Sequence, residues 1–183
     1  MKVLILLSGG LDSAVVLAAA IKDHECEAIG FDYDQPHAIE LDRAEEIAEH
    51  YGVPFVRIGL PAMLNAKIDD VVFAGRNLVL ASLAIATAQA RGMDAIAIGC
   101  NASDWPRFPD CRPPFWSAVR TAAEAYGIAV LTPLTHHSKQ DVASAARRLG
   151  VPIDLTWSCY APRDGSPCGE CLACKTRDEA LSA

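Results

Sequence analysis

The sequence predicts an α/β fold, a doubly wound domain around a mostly parallel sheet, and three observations carry that expectation. Short apolar runs alternate with helix-period segments, the runs are apolar on both faces, and the first of them stops at Ser8-Gly9-Gly10. Strands with two apolar faces belong to parallel sheets covered by helices. Val3–Leu7 is the first such strand, and Ser13–Lys22 reads as an Ala-rich helix after it. Glu27–Tyr33 is a second strand, followed by a helix from Ala38 to His50 with Ala38, Leu41, Ala44 and Ala48 on one face. Gly52-Val53-Pro54 ends that helix, and Phe55–Ile58 is a third strand. Arg76–Arg91 is mostly apolar and reads as a buried helix stopped by Gly92. Ala95–Gly99 is a strand, Phe115–Tyr126 a helix and Ala129–Leu131 a strand. The last helix, Ser138–Leu149, opens on Ser138 and Asp141, placed as a capping box. Asn101–Pro114 and Trp157–Lys175 break the rhythm, the first rich in Pro, Asp, Arg and aromatic residues, the second carrying cysteines and no periodicity. In open α/β sheets the ligand site lies beyond the carboxyl ends of the strands, where such loops gather.

A length of 183 residues suits one body over 1–156 with a cysteine-bearing segment, 157–183, packed on it. Hydrophobic residues at 51% and charged residues at 21% exclude a disordered chain, a collagen and a coiled coil. The longest strongly apolar stretch, Leu78–Ala88, is far shorter than the ~20 residues a membrane span needs. Met1-Lys2 leads directly into an apolar run without a small-residue cleavage site, so it reads as a strand, and a cytoplasmic location is expected. Sixteen basic against 23 acidic residues, a net charge of −7, speak against broad attraction to nucleic acid. A small phosphate-bearing ligand remains open, because backbone N–H groups hold one locally.

Ser8-Gly9-Gly10-Leu11-Asp12-Ser13 has the makings of a phosphate loop. Two glycines permit a tight turn and close approach, and the following helix directs unpaired N–H groups to the same place. Ser8 and Ser13 add hydroxyls, and Asp12 is suited to hold a Mg²⁺ that bridges phosphates. No lysine stands in the loop, so it is not a Walker A motif. The plainer alternative is a strand-to-helix turn with Gly for geometry and Ser or Asp as a cap.

Seven cysteines are an odd number, and four of them, Cys159, Cys168, Cys171 and Cys174, fall within sixteen residues as C-x8-C-x2-C-x2-C. In a reducing compartment clustered thiols read as metal ligands before disulfides. Four thiolates suit a closed tetrahedral Zn²⁺ site, and Gly169 permits the turn between ligands. A redox CxxC pair and an iron–sulfur cluster are the alternatives. Cys26, Cys100 and Cys111 read as small buried hydrophobes.

The loop resembles the SGGxDS loop of the ATP pyrophosphatases, and loop and cysteine tail together resemble the 7-cyano-7-deazaguanine synthase family. Intermediate pieces extend the resemblance nearly end to end. Phe31-Asp32-Tyr33-Asp34-Gln35-Pro36-His37 is similar to FDYGQxH, and Phe73-Ala74-Gly75-Arg76-Asn77 to PGRN. Gly99-x-Asn101, Phe108-Pro109-Asp110-Cys111-Arg112 and Thr132-Pro133-Leu134 with Lys139 match further pieces. Asp34 stands where the family has Gly, Pro36 where it has Arg, and Ala74 where it has Pro; the stretch Asn65–Phe73 is shorter than in typical members.

The resemblance implies an adenine nucleotide alpha hydrolase-like fold and an ATP-dependent ligase of 7-deazapurine (queuosine) biosynthesis. That enzyme turns 7-carboxy-7-deazaguanine and ammonia into the nitrile through an acyl-adenylate and an amide. It implies ATP bound by Leu7, Ser8, Gly9, Gly10, Leu11, Asp12 and Ser13, with Mg²⁺, and Zn²⁺ on the four clustered cysteines. Asp12, Ser13, Arg76, Lys139 and His37 are the candidate catalytic residues, with Arg112 as a further cation. Each cation has the alternative of a surface residue, and His37 that of a structural histidine. Phe31, Tyr33, Trp105 or Phe115 would stack on the heterocycle or belong to the core. No glutaminase fits beside this domain, so free or partner-supplied ammonia is expected, with a homodimer as candidate assembly, and neither a nucleic acid nor a membrane as partner. Two other readings stand beside this one. One is an adenylating enzyme that stops at the amide, uses another amine or modifies a tRNA base; the other is a non-catalytic zinc-knuckle protein.

Overall fold

Five strands, β1 (Lys2–Leu6), β2 (Glu25–Asp32), β3 (Phe55–Gly59), β4 (Ala95–Ile98) and β5 (Ala129–Leu131), pair in parallel in the order β3-β2-β1-β4-β5. The computed structural model describes residues 1–35, 37–60 and 75–183. Pro36, the shortened stretch Asn65–Phe73 and the Phe73-Ala74 part of the PGRN-like piece lie outside the described residues. Among the described residues six α-helices accompany the strands: α1 (Leu11–Ala20), α2 (Ile39–His50), α3 (Arg76–Ala90), α4 (Pro113–Glu124), α5 (Lys139–Leu149) and α6 (Leu172–Ser182).

Side chains alternate across a strand, so one run of apolar residues feeds two cores. Val3, Ile5 and Leu7 pack with Val15, Val16, Ala44, Ile47, Val142 and Ala146, which puts α1, α2 and α5 on one face. Leu4, Ile29, Ile96 and Ile98 pack with Ala84, Ala88, Trp116 and Val119, which puts α3 and α4 on the other. The strand order reverses between β1 and β4, and the turns after these two strands therefore open into one crevice.

Three sequence expectations need correction. The helix read as Phe115–Tyr126 starts at Pro113, because Pro113 and Pro114 occupy its first two positions, where a missing N–H is harmless. The segment Trp157–Lys175, read without regular structure, runs into α6 at Leu172. Helix α3, read as buried, presents one buried face of Ala81, Ala84, Ile85 and Ala88, while Leu78 is 53% exposed. Apolar residues run around most of this helix, yet only one face meets the sheet. The capping box is present: Ser138 Oγ accepts from the Asp141 N–H, and Asp141 accepts from the Ser138 N–H. Among the described residues no helix is long and apolar enough to cross a membrane.

Candidate active site

β1 delivers the chain into the loop, and the loop shape depends on Gly9. Its φ is +84°, and a Cβ there would lie 1.9 Å from the Glu40 carbonyl oxygen. Only glycine lets the turn pass so close to the start of α2. Helix α1 then begins at Leu11, with its first intrahelical bond from the Ala14 N–H to the Gly10 carbonyl (3.1 Å). The N–H groups of Leu11, Asp12 and Ser13 precede that bond and carry the positive end of the helix dipole. Ser13 is buried; its hydroxyl donates to the Gly10 carbonyl (3.0 Å) and accepts from the Ser8 N–H (3.2 Å). Ser13 thus staples the loop, and the exposed Ser8 hydroxyl, 3.3 Å from it, is the one nearer solvent.

Asp12 faces a network from three other segments. Lys139 Nζ, at the start of α5, reaches both Asp12 oxygens at 2.8 and 2.9 Å. The fully buried Asn101, beyond β4, donates its amide to Asp12 and to Asp104, each at 3.0 Å. Burial and the Asp12 charge push the Asp104 carboxyl upward. Gly99 brings β4 against the loop, since a Cβ there would be 2.8 Å from the Asp12 carbonyl carbon and the Ser13 nitrogen. A cavity of about 470 Å³ opens over these groups.

The far wall of the cavity is built from the end of β2, the start of α2, the start of α3 and the segment before α6. Phe31, Tyr33, His37, Glu40, Arg76 and Tyr160 line it. Asp34 has φ +61°, so the position where the resembling family has Gly keeps a left-handed backbone that Asp tolerates. Gln35 closes the same turn, accepting from the Tyr33 N–H (2.9 Å) and donating to the Phe31 carbonyl (3.3 Å). Arg76 Nη1 donates to the Tyr33 hydroxyl (3.1 Å). Burial opposes the Arg76 charge, and Tyr33, Glu40 and Tyr160 outweigh it, raising its pKa. His37 is 2% exposed with its Nδ1 unpartnered; burial and the nearby Arg76 charge lower it to about 4, so it stays neutral. Its Nε2 lies 3.6 Å from a Glu40 carboxylate oxygen, and its ring meets Tyr160 edge-on. Burial pushes Glu40 up to about 7, against Arg76 and a hydrogen bond from Gln35.

The four clustered cysteines place their sulfurs within 4.8 Å of one another. Tetrahedral Zn–S bonds of about 2.3 Å set sulfurs roughly 3.8 Å apart, so the donor set fits such an ion. The Cys168 N–H points at Cys159 Sγ (3.2 Å) and the Cys171 N–H at Cys168 Sγ (3.3 Å), the arrangement that stabilises thiolates. N–H groups of Glu170 and Cys171 hold the Cys168 thiol down to about 6. The segment also reaches the loop: the Trp157 N–H donates to the Gly9 carbonyl (2.8 Å), and Ile39 of α2 packs on the cysteines.

The structure gathers Leu7, Ser8, Gly10, Leu11, Asp12, Ser13, His37, Arg76 and Lys139 around one cavity, with Phe31 and Tyr33, while Gly9 shapes the loop without lining it. Trp105, Phe115 and Arg112 are not among its lining residues; Trp105 and Phe115 pack in the second core, and Arg112 bonds the Trp105 carbonyl (2.8 Å). Arg107 and Phe108 take their place at the rim. Sequence reasoning passed over Glu40, Asp104 and Tyr160 and gave Asn101 no role. The spacing of His37 and Glu40, i and i+3 at a helix start, was the available signal for one of them. Cys26, Cys100 and Cys111 are buried, and burial lifts Cys100 to about 11 and Cys111 to about 12.

A five-stranded parallel sheet with a lysine-free loop at its switch point is a fold that solved structures share. The U34-tRNA thiolase NcsA from Methanococcus maripaludis superposes with a TM-score of 0.62 at 18% identity, over 100% of this chain and 64% of that one. The NH3-dependent NAD synthetase from Campylobacter jejuni gives 0.56 at 17% identity, over 84% and 66%. The chain belongs to the family described as Queuosine biosynthesis protein QueC, which it matches over residues 2–183. The 7-cyano-7-deazaguanine synthase of Synechococcus sp. (strain CC9311) is 39% identical over 97% of this chain and 91% of that protein. The enzyme of the same name from Leptospira interrogans is 34% identical over 98% and 86%.

Proposed function

We propose that this chain is a 7-cyano-7-deazaguanine synthase, an ATP-dependent ligase that makes a nitrile from 7-carboxy-7-deazaguanine and ammonia. The observation that carries the reading is the convergence of the Leu11–Ser13 N–H groups, the Asp12–Lys139 pair and Arg76 on one cavity. A carboxylate is a poor electrophile, so its oxygen must first become part of a leaving group. The carboxylate displaces pyrophosphate from ATP, ammonia displaces AMP to give the amide, and a second adenylation on the amide oxygen permits loss of AMP as the nitrile forms. Both rounds need the same cradle, so one site serves both.

In that chemistry the loop N–H groups receive the departing pyrophosphate, and Lys139 and Arg76 spread the charge that develops on phosphate oxygens. Asn101 keeps Asp12 oriented from a fully buried position. Asp12 and Asp104 would hold Mg²⁺, which would supply positive charge beside the phosphates, and Lys139, paired with Asp12, would stand beside it as a second positive charge. Zn²⁺ on Cys159, Cys168, Cys171 and Cys174 would organise the cavity wall that Ser158 and Tyr160 form. Ammonia enters free or from a partner, and the chain works without nucleic acid.

The test combines 7-carboxy-7-deazaguanine, ATP, Mg²⁺ and ammonia and resolves products by mass spectrometry. The nitrile is lighter than the amide by one water, and two AMP and two pyrophosphate are expected per nitrile. One AMP per product would mark an enzyme that stops at the amide. ADP as the main nucleotide would overturn the pyrophosphatase reading altogether.

A further inference from the structure

Nitrile synthesis strips all three hydrogens of ammonia from one nitrogen, and the loop offers no group to take them. Ser8 and Ser13 are hydroxyls, Lys139 is a cation, and both Asp12 oxygens already accept from Lys139. Across the cavity Glu40 presents a carboxyl whose side chain is only 17% exposed. The groups facing it are His37 from its own turn, Gln35 and Tyr33 from the end of β2, Arg76 from the start of α3 and Tyr160 from the segment before α6. Its distance to His37 Nε2, 3.6 Å, exceeds a hydrogen bond, while Gln35 donates to it and the Arg76 charge faces it. The backbone carbonyl of the same residue abuts Gly9, which seats the start of α2, the turn that carries this carboxyl, against the loop.

We infer that Glu40 is the proton acceptor for the attacking nitrogen during amide and nitrile formation. The inference rests on the synthase reading above and adds the residue that the stoichiometry requires. In the first adenylation a carboxylate oxygen bonds to the α-phosphorus, the bond to pyrophosphate breaks, and no proton moves. Ammonia then forms the C–N bond, the C–O bond to AMP breaks, and one N–H proton passes to Glu40. The amide oxygen next bonds to the α-phosphorus of a second ATP; pyrophosphate leaves, and a second N–H proton passes to Glu40. Finally the last N–H proton passes to Glu40, its electron pair becomes the third C–N bond, and AMP leaves with its C–O electrons. Glu40 returns each proton to water through the cavity before the next step. A carboxyl lifted toward neutrality by burial is a matched acceptor there.

Glu40→Gln keeps shape and an acceptor oxygen but takes no proton, and Glu40→Asp keeps the chemistry at a shorter reach. Two rates are measured for each between about pH 5.5 and 9: acid-dependent exchange of pyrophosphate into ATP, and nitrile formation. The expected Glu40→Gln result is exchange within about threefold of wild type and nitrile formation lowered ~10²–10⁴-fold. Wild-type nitrile formation is expected to rise with pH through about 7 as Glu40 ionises, a limb that Glu40→Gln lacks and Glu40→Asp retains in displaced form. Nitrile formation by Glu40→Gln at the wild-type rate overturns the inference. So does equal loss of exchange and nitrile in a folded Glu40→Gln protein, which would make the carboxylate a holder of the heterocycle. Should Glu40→Gln not fold, an unchanged pH limb in Glu40→Asp overturns it. A wild-type protein that shows neither exchange nor nitrile overturns the synthase reading itself, a result distinct from all of these.

Discussion

The two walls of the cavity are built on opposite terms. At the loop wall the charged groups are matched: Asp12 with Lys139 and Asn101, and Ser13 with Gly10 and Ser8. At the far wall the match is looser: His37 Nδ1 is unbonded, and Glu40 stands 3.6 Å from His37 and takes its hydrogen bond from the neutral Gln35. Matched groups hold a fixed shape for a ligand that is the same in every round, the nucleotide. Unmatched groups are costly to bury, and a site keeps them where a changing substrate must be met or a proton moved.

The contrast breaks most visibly if the loop wall is not the phosphate site. Asp12→Ala should lower nitrile formation by ~10³-fold and Lys139→Met by ~10²-fold, each with an unchanged circular dichroism spectrum. Near-normal turnover in both would remove the loop wall from the chemistry. Next in size is the cysteine segment. Wild-type protein should carry one zinc per chain by elemental analysis, and Cys174→Ser should lose it and melt roughly 5–15 °C lower. Full occupancy with unchanged melting in that variant would take Cys174 out of the site.

A subtler comparison uses Gly99→Ala, which inserts a methyl 2.8 Å from the Asp12 carbonyl carbon. It should cost about 1–3 kcal/mol of stability in denaturant titration and weaken ATP more than the deazaguanine acid. The last comparison concerns the far wall. Glu40 carries a folded value of about 7 against an ordinary 4.5, so between those values the folded chain binds the extra proton. Wild-type stability therefore falls as pH rises from 4.5 to 7 on this account, and Gln has no proton to lose. The melting advantage of Glu40→Gln over wild type should be near zero at the acid end, grow through that interval and then level off. A constant difference across it would contradict a neutral Glu40 in the folded chain.

The loop wall was legible in the sequence because its demands are local. Gly9 and Ser13 fall within one turn: Gly9 takes the positive φ and Ser13 bonds the Gly10 carbonyl, while Gly10 itself has an extended backbone with ordinary room for a Cβ. Strands and helices were legible for a related reason, since apolar runs and helical periods report burial directly, and the boundaries of those elements differ by two residues at most. Lys139 lies 127 positions from Asp12, and only the resemblance singled it out. Glu40 was hidden by its neighbours: Asp42, Glu45, Glu46 and Glu49 share the helix with it, and nothing local marks one carboxyl as turned inward. Helix α6 was illegible because its order comes from outside. Cys174 and Ala180 are its only buried residues, and Arg177 ties it to Thr156 (2.6 Å) and to the Ile153 carbonyl (2.8 Å).

The hydrogen bond from Trp157 to Gly9 joins the cysteine segment to the nucleotide loop. Two binding equilibria that share such a strut form one thermodynamic system. By whatever factor a metal on the thiols tightens the grip on ATP, ATP must tighten the grip on the metal by the same factor. A chelator should therefore strip metal from the nucleotide-loaded protein at higher concentrations than from the empty one, and the ratio would read out the coupling without any turnover.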